Sequence, residues 1–196
     1  MIYVKPITLN GKFVRLEPLT ENHVAGLTEV GLDDNIWQYL PYGPMRSEAD
    51  IRGWVLKILD HAAKGSDLPF AVIHNSSGRV AGTTRYMEIR PEHDGLEIGG
   101  TWYGSEFRRT RVNTECKYLL LEHAFEELKC IRVQLKTDSR NERSQRAIER
   151  IGAVKEGELR NHMVLPNGFI RNSIYYSILN SEWPNLKIKL GEMLTE

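Results

Sequence analysis

The chain has 196 residues, 41% of them hydrophobic and 27% charged. That is enough for one domain with a real core and too few for two ordinary ones, so a single domain over residues 1–196 is expected. Lys plus Arg number 26 and Asp plus Glu also 26, which excludes a dedicated nucleic-acid binder with its basic excess and leaves any anion binding to a local cluster. The most apolar run, Tyr118 to Leu121, is too short to span a bilayer, and Met1 to Pro6 lacks the basic and apolar blocks of a signal peptide. Two cysteines, Cys116 and Cys130, offer no zinc-ligand spacing, so no metal is expected. These features read as a cytoplasmic, reduced protein without membrane or nucleic-acid partners.

Taken in order, Phe13 to Leu19 reads as a first strand, after which Thr20 caps a helix with Glu21 in its first turn. A second helix runs from a Ser47 cap, reinforced by Asp50, to about Ala63. Its buried face is Ile51, Trp54, Val55 and Ile58. Pro69 to His74 and Val80 to Ile89 form a hairpin around an Asn75–Gly78 turn. Gly95 opens a strand through Tyr103 in which alternation puts Leu96, Ile98 and Trp102 on one face and Glu97, Thr101 and Tyr103 on the other. A helix follows from Thr110 or Asn113 to Leu128, with Cys116, Leu119, Leu120, His123, Ala124 and Leu128 inward. Ile131 to Thr137 alternates as a strand. Ser139 to Glu142 reads as a capping box for a helix that ends at Gly152, with Ala147, Ile148 and Ile151 in the core. A hairpin of Val154–Leu165 and Phe169–Leu179 turns at Pro166-Asn167-Gly168. This order implies an α/β sandwich with a mixed sheet.

One segment sets charge against geometry. Arg108, Arg109 and Arg111 lie within four residues at the N-terminus of a helix, where the dipole already makes each cation cost about 0.3–1 kcal/mol. A phosphate or diphosphate held by the guanidiniums and the free amides resolves the conflict. Pairing of the arginines with Glu106 and Glu115 is the alternative. Gly99-Gly100 in the preceding strand signals a bulge or a close backbone approach. A bulge there would splay this strand from Ile131–Thr137, and a ligand with amide groups could fill the gap as a pseudo-strand. A diphosphate attached to a chain with two amides is coenzyme A.

The Arg-rich turn, the run Asn113-Thr114-Glu115-Cys116-Lys117-Tyr118-Leu119-Leu120-Leu121 with Ala124-Phe125, and then Asn141-Glu142-Arg143-Ser144-Gln145-Arg146-Ala147 and Ile151-Gly152-Ala153 together resemble the GCN5-related N-acetyltransferases, in their RimJ/RimL-type branch. The resemblance extends from about Ile7 to Glu182-Trp183-Pro184. It implies a mixed, mostly antiparallel central sheet, splayed in the middle and flanked by helices. It also implies acetyl-CoA as co-substrate and direct acetyl transfer to a primary amine, either a protein N-terminus or a small amine, in a ternary complex. Late hairpins in such proteins often pair between subunits, which makes a homodimer an expectation. Arg108 fits the first position of the family's phosphate loop, whereas Arg111 and Asn113 replace its two small residues. Tyr103, Arg108, Arg109, Thr110, Arg111, Val112, Asn113, Thr114 and Asn141 are the expected co-substrate contacts. A backbone N–H near Tyr103 would stabilise the oxyanion.

Glu97 is the candidate base, acting through a water, and Ser144 the candidate partner of the leaving thiolate. Ile148 occupies the position where related enzymes often place a tyrosine. The missing glycines and tyrosine define the alternative: a CoA-binding or regulatory module with impaired catalysis. A phosphotransferase is disfavoured because no phosphate-binding Gly-x-x-x-x-Gly-Lys-Ser/Thr loop occurs. Cys116 and His123 read as core residues rather than as a nucleophile and a base. His162 is a candidate lining residue of an acceptor pocket, as is the cluster of Trp37, Tyr39, Tyr42 and Trp54.

Overall fold

A computed structural model of the chain describes residues 1–195. Its strands are β1 (Leu9–Asn10), β2 (Val14–Pro18), β3 (Leu68–His74), β4 (Val80–Arg90), β5 (Gly95–Tyr103), β6 (Arg132–Asp138), β7 (Val154–Val164) and β8 (Ile170–Leu179). The helices are α1 (Val24–Gly31), α2 (Asp34–Trp37), α3 (Glu48–Ala63), α4 (Val112–Glu122), α5 (Glu142–Arg150) and α6 (Trp183–Thr195). All eight strands form one sheet in the order β1-β2-β3-β4-β5-β6-β8-β7. Every neighbouring pair is antiparallel except β5 and β6.

Most elements lie where residue patterning puts them. Ser47 Oγ accepts from the Asp50 amide, and Ile51, Trp54, Val55 and Ile58 are the buried residues of α3. Other elements depart from the sequence reading. Residues Glu21–His23 form a 3-10 turn before α1. Beyond Glu122, α4 passes into a π turn over His123–Glu127. The cap of α5 is Asn141, whose side chain accepts from the Ser144 amide, and not Ser139. The strand β1 and the helices α2 and α6 go beyond the expected elements.

Helices cover both faces of the sheet. Tyr86 on β4 donates to the Leu120 carbonyl in α4, while Trp102 on β5 packs against Trp54 of α3 with ring centroids 5.9 Å apart. The start of α4 is fixed by Glu115, which is 4% exposed. Its carboxylate accepts from the amides of Lys12 (2.8 Å), Phe13 (2.6 Å) and Val14 (2.7 Å). Glycine at position 11 permits this approach, since a Cβ there would lie 2.5 Å from Glu115 Cδ. Hydrogen bonds to a charged group are worth about 1.5–3 kcal/mol each, less what water recovers. E115A should therefore lower unfolding stability by about 3 kcal/mol, and a thermal melt should show a Tm lower by about 6–12 °C. An unchanged Tm would mean that the three amides find other acceptors.

Candidate active site

The site begins where two strands part. The parallel β5–β6 ladder holds only three pairs, Gly95–Arg132, Leu96–Val133 and Glu97–Gln134. On its other side β5 stays paired with β4, but Arg85 faces Gly99 and Thr83 faces Trp102, so β5 carries one extra residue. Gly100 sits in this bulge with φ +57°. A Cβ there would lie 2.6 Å from Arg85 Nε, so both its conformation and its surroundings require glycine.

The bulge corrects the face assignment made from simple alternation. Ile98 pairs with Tyr86, which faces α4. One extra residue then reverses the order. Thr101 accepts a hydrogen bond from Lys117 of α4, and the Tyr103 hydroxyl lies against Cys116 of the same helix. Trp102 turns the other way, into an aromatic cluster with Trp37 (5.1 Å) and Trp54. Tyr42 packs against Trp37 and Trp54 in that cluster, whereas Tyr39 lies apart, beneath Arg140.

A cleft of about 820 Å³ runs from the N-terminus of α4 into the gap between β5 and β6. Its apolar floor includes Ile98, Leu135, Ala147, Ile148 and Ile151. Among the described residues eight basic ones line it, Arg108, Arg109, Lys117, Lys136, Arg143, Arg146, Arg150 and Arg171, and no carboxylate does. An adjoining recess of about 440 Å³ adds Arg140 and a single acid, Glu142, which is paired with Arg146. The Asn113 and Thr114 amides at the start of α4 have no acceptor among the described residues; the Val112 amide donates to Thr110 Oγ1.

The expected contact residues divide. Tyr103, Arg108, Arg109, Thr110, Asn113, Asn141 and Ser144 line the cleft; Arg111, Val112 and Thr114 do not. Arg108 is held by Asp33 (3.3 Å) and donates to the Tyr103 carbonyl. Arg109, at φ +61°, has no ion pair among the described residues. Arg111, expected beside the anion, instead leans over the Phe13 ring at 5.2 Å, because the backbone reverses through the left-handed Arg109 before it reaches the cap of α4. The arginines do not pair with Glu106 or Glu115. Glu106 binds Arg79, and Glu115 is committed to the three amides.

Glu97, expected to face the cleft, is 1% exposed and is absent from its lining. Its carboxylate is bound by Lys136 (3.1 Å) and Gln134 (2.8 Å), so it is engaged behind the lining and does not project into the cleft. His162 is also away from the lining. It sits between Ser173 Oγ (3.0 Å) and the Tyr175 hydroxyl (3.2 Å), and its pKa is lowered by burial and then by Lys136 and Arg171. His123 stacks on Tyr86 in the core. Cys116 and Cys130 are free and buried, and burial pushes both thiols up to about 12, which leaves neither a nucleophile.

Sequence reasoning passed over Lys117, a buried residue of the cleft lining. Burial lowers its ammonium pKa from the usual lysine range to about 8. Polar residues within an inward helical stripe give no sign of burial, and only the reversed Thr101 brings this one to light.

Breaking a buried ion pair costs about 3–5 kcal/mol. E97Q keeps one polar contact and should fall at the low end of that range, near 3 kcal/mol, as a shift of the urea midpoint. A midpoint within error of the wild type would mean that Glu97 is solvated and free to act from the cleft.

The domain model "Acetyltransferase (GNAT) domain" matches residues 14–154. The Bacillus subtilis (strain 168) protein named "Putative ribosomal N-acetyltransferase YdaF" is 36% identical over 88 residues, which is 45% of this chain and 48% of that one, so the match spans about half the length of that curated relative. Among solved structures, a "putative acetyltransferase" from T. thermophilus superposes with a TM-score of 0.89 at 38% identity, covering 98% of this chain and 100% of its own. A "GCN5-related N-acetyltransferase from Brucella melitensis" does so with a TM-score of 0.89 at 32% identity, covering 96% and 86%. The chain belongs to the GNAT acetyltransferase family.

Proposed function

We propose that the protein transfers the acetyl group of acetyl-CoA to a primary amine by direct attack in a ternary complex. The observation that carries this reading is the eight-cation, carboxylate-free cleft in a chain of zero net charge, running from open helix amides to a gap between strands. A polyanion joined to a narrow arm with amide groups fits each part of it. The diphosphate lies at the Asn113 amide with Arg109 and Arg143, where dipole and guanidiniums act together. The arm takes up the strand edges left unpaired beyond Glu97 and Gln134. The apolar floor accepts the methylene groups.

Within this reading, Asn141 holds the first turn of α5 so that Ser144 faces the cleft, where its hydroxyl can donate to the thioester sulfur. Glu97 acts as a positioning residue that keeps Lys136 in place. Backbone N–H groups near the bulge meet the oxygen that gains charge. The name of the Bacillus relative supports a protein amine as acceptor. A CoA-binding module without turnover is the second reading, favoured by the lack of a cleft carboxylate.

Acetyl-CoA at 100 times its Kd should stabilise the fold by about 2.7 kcal/mol, a Tm rise of about 5–11 °C, and ATP should not match it. R109A and R143A should each weaken acetyl-CoA binding about tenfold by calorimetry, and R111A should change it little. Stabilisation by ATP alone, or full affinity in R109A/R143A, would reject the co-substrate site. CoA release on addition of peptides with free N-termini separates the enzyme from the silent module.

A further inference from the structure

Beyond adding one positive charge to the cleft, Lys117 has no assigned role so far. It lies on α4 four residues beyond Asn113, 6% exposed, and it lines the cleft. Its one hydrogen bond goes to Thr101 Oγ1 at 2.8 Å, and that oxygen lies 2.8 Å from Thr84 Oγ1. No carboxylate among the described residues pairs with it, and its pKa of about 8 reflects that burial. Cys116 and Glu115 are its titratable neighbours on α4, Tyr103 of β5 and Tyr86 of β4 are presented to the same helix, and Arg150 of α5 shares the cleft lining. Burial keeps the Cys116 thiol and both tyrosine hydroxyls protonated, and the Glu115 carboxylate is engaged by the amides of Lys12, Phe13 and Val14.

A buried ammonium without an anion is costly, and an apolar side chain would fill the same space at less cost. An anion that forms in the cleft during the reaction would remove the penalty at that moment. Thioester aminolysis makes one, because the C–S bond breaks with its electron pair on sulfur. Across the cleft α5 offers Ser144 and Ile148. The Ser144 alcohol can give that sulfur a hydrogen bond, but without a strong acid's character it does not give up its proton, and Ile148 has none to give.

We propose, on the reading that the cleft binds acetyl-CoA, that the Lys117 ammonium is the catalytic acid that protonates the departing thiolate. The amine lone pair forms the N–C bond, the C–S bond breaks, and a proton passes from Lys117 Nζ to sulfur. The proton shed by the amine nitrogen returns to Nζ. Amine and thioester thus give amide and thiol with no net change in protons.

The experiment needs no acceptor. CoA itself is bound to the wild-type protein, occupancy is established by calorimetry, and thiolate formation is followed against pH by ultraviolet absorbance and by the rate of alkylation with iodoacetamide, with protein lacking CoA as the blank. A cation within reach of the sulfur should give about tenfold more thiolate near neutral pH than free CoA shows. K117M should abolish the difference at CoA concentrations that calorimetry shows to saturate it, and K117R, which keeps the charge, should retain it. Bound CoA that ionises like free CoA, or equally in wild type and K117M, overturns the proposal. If K117M does not fold, K117Q, which also removes the charge, takes its place in the comparison with the wild type and K117R. Failure of CoA to bind the wild type at all overturns the cleft reading as well, and calorimetry reveals that before any titration.

Discussion

The parting of β5 from β6 after Glu97 is the constraint on which the site depends. Backbone N–H and C=O groups are obligatory hydrogen-bonding groups, so a sheet that stops pairing in its middle gives up stability unless something else meets them. The extra residue in β5 produces this opening and also decides which side chains surround it. It turns Thr101 and Tyr103 toward α4 and sends Trp102 into the aromatic cluster on the other face. The same residue that opens the gap therefore furnishes the partner of Lys117. Gly100 makes this possible, with a positive φ and Arg85 packed where a side chain would be.

Charge is arranged around that gap with equal economy. The acids nearest the cleft are engaged behind or beside it: Glu97 with Lys136, Asp33 with Arg108, Asp138 with Arg140, and Glu115 with three amides. Balanced overall, the chain presents its positive charge to the cleft and turns its carboxylates toward structural partners. Arg109 and Arg143 have no ion pairs among the described residues and stand at the mouth. Repulsion among like charges in a partly desolvated space is tolerable when a polyanion relieves it.

What could be read from the residues, and what could not, follows the same division. The buried face of α3 was legible because Ile51, Trp54, Val55 and Ile58 repeat at helical spacing and nothing interrupts them. Gly99-Gly100 announced the bulge, since glycine inside an alternating strand has few other reasons to be there. The consequence of the bulge was not legible. Alternation counted through it assigns Thr101 and Trp102 to the wrong faces, and Lys117 then has no visible partner. The Arg turn was legible as a cluster but not as directions: Arg109 faces the cleft, while Arg111, two residues on, lies on Phe13. Glu97 illustrates the limit for acids. Its strand position was right, yet cross-strand Gln134 and Lys136, distant in sequence, decide whether it meets solvent. Ser139 and Asn141 are both good caps, and only the backbone path selects Asn141.

The cleft's protonation chemistry narrows to one group. Cys116 and Tyr103 are held protonated by burial, the arginines remain charged, and His162 lies outside the lining. Of the lining residues, Lys117 is brought toward neutral pH. In the proposed transfer the attacking nitrogen sheds a proton and the sulfur needs one, and no carboxylate among the described residues lines the cleft to carry it. That transfer calls for a group able to give a proton to sulfur and regain it from nitrogen at neutral pH, and the Lys117 amine on α4 beside Thr101 meets the requirement.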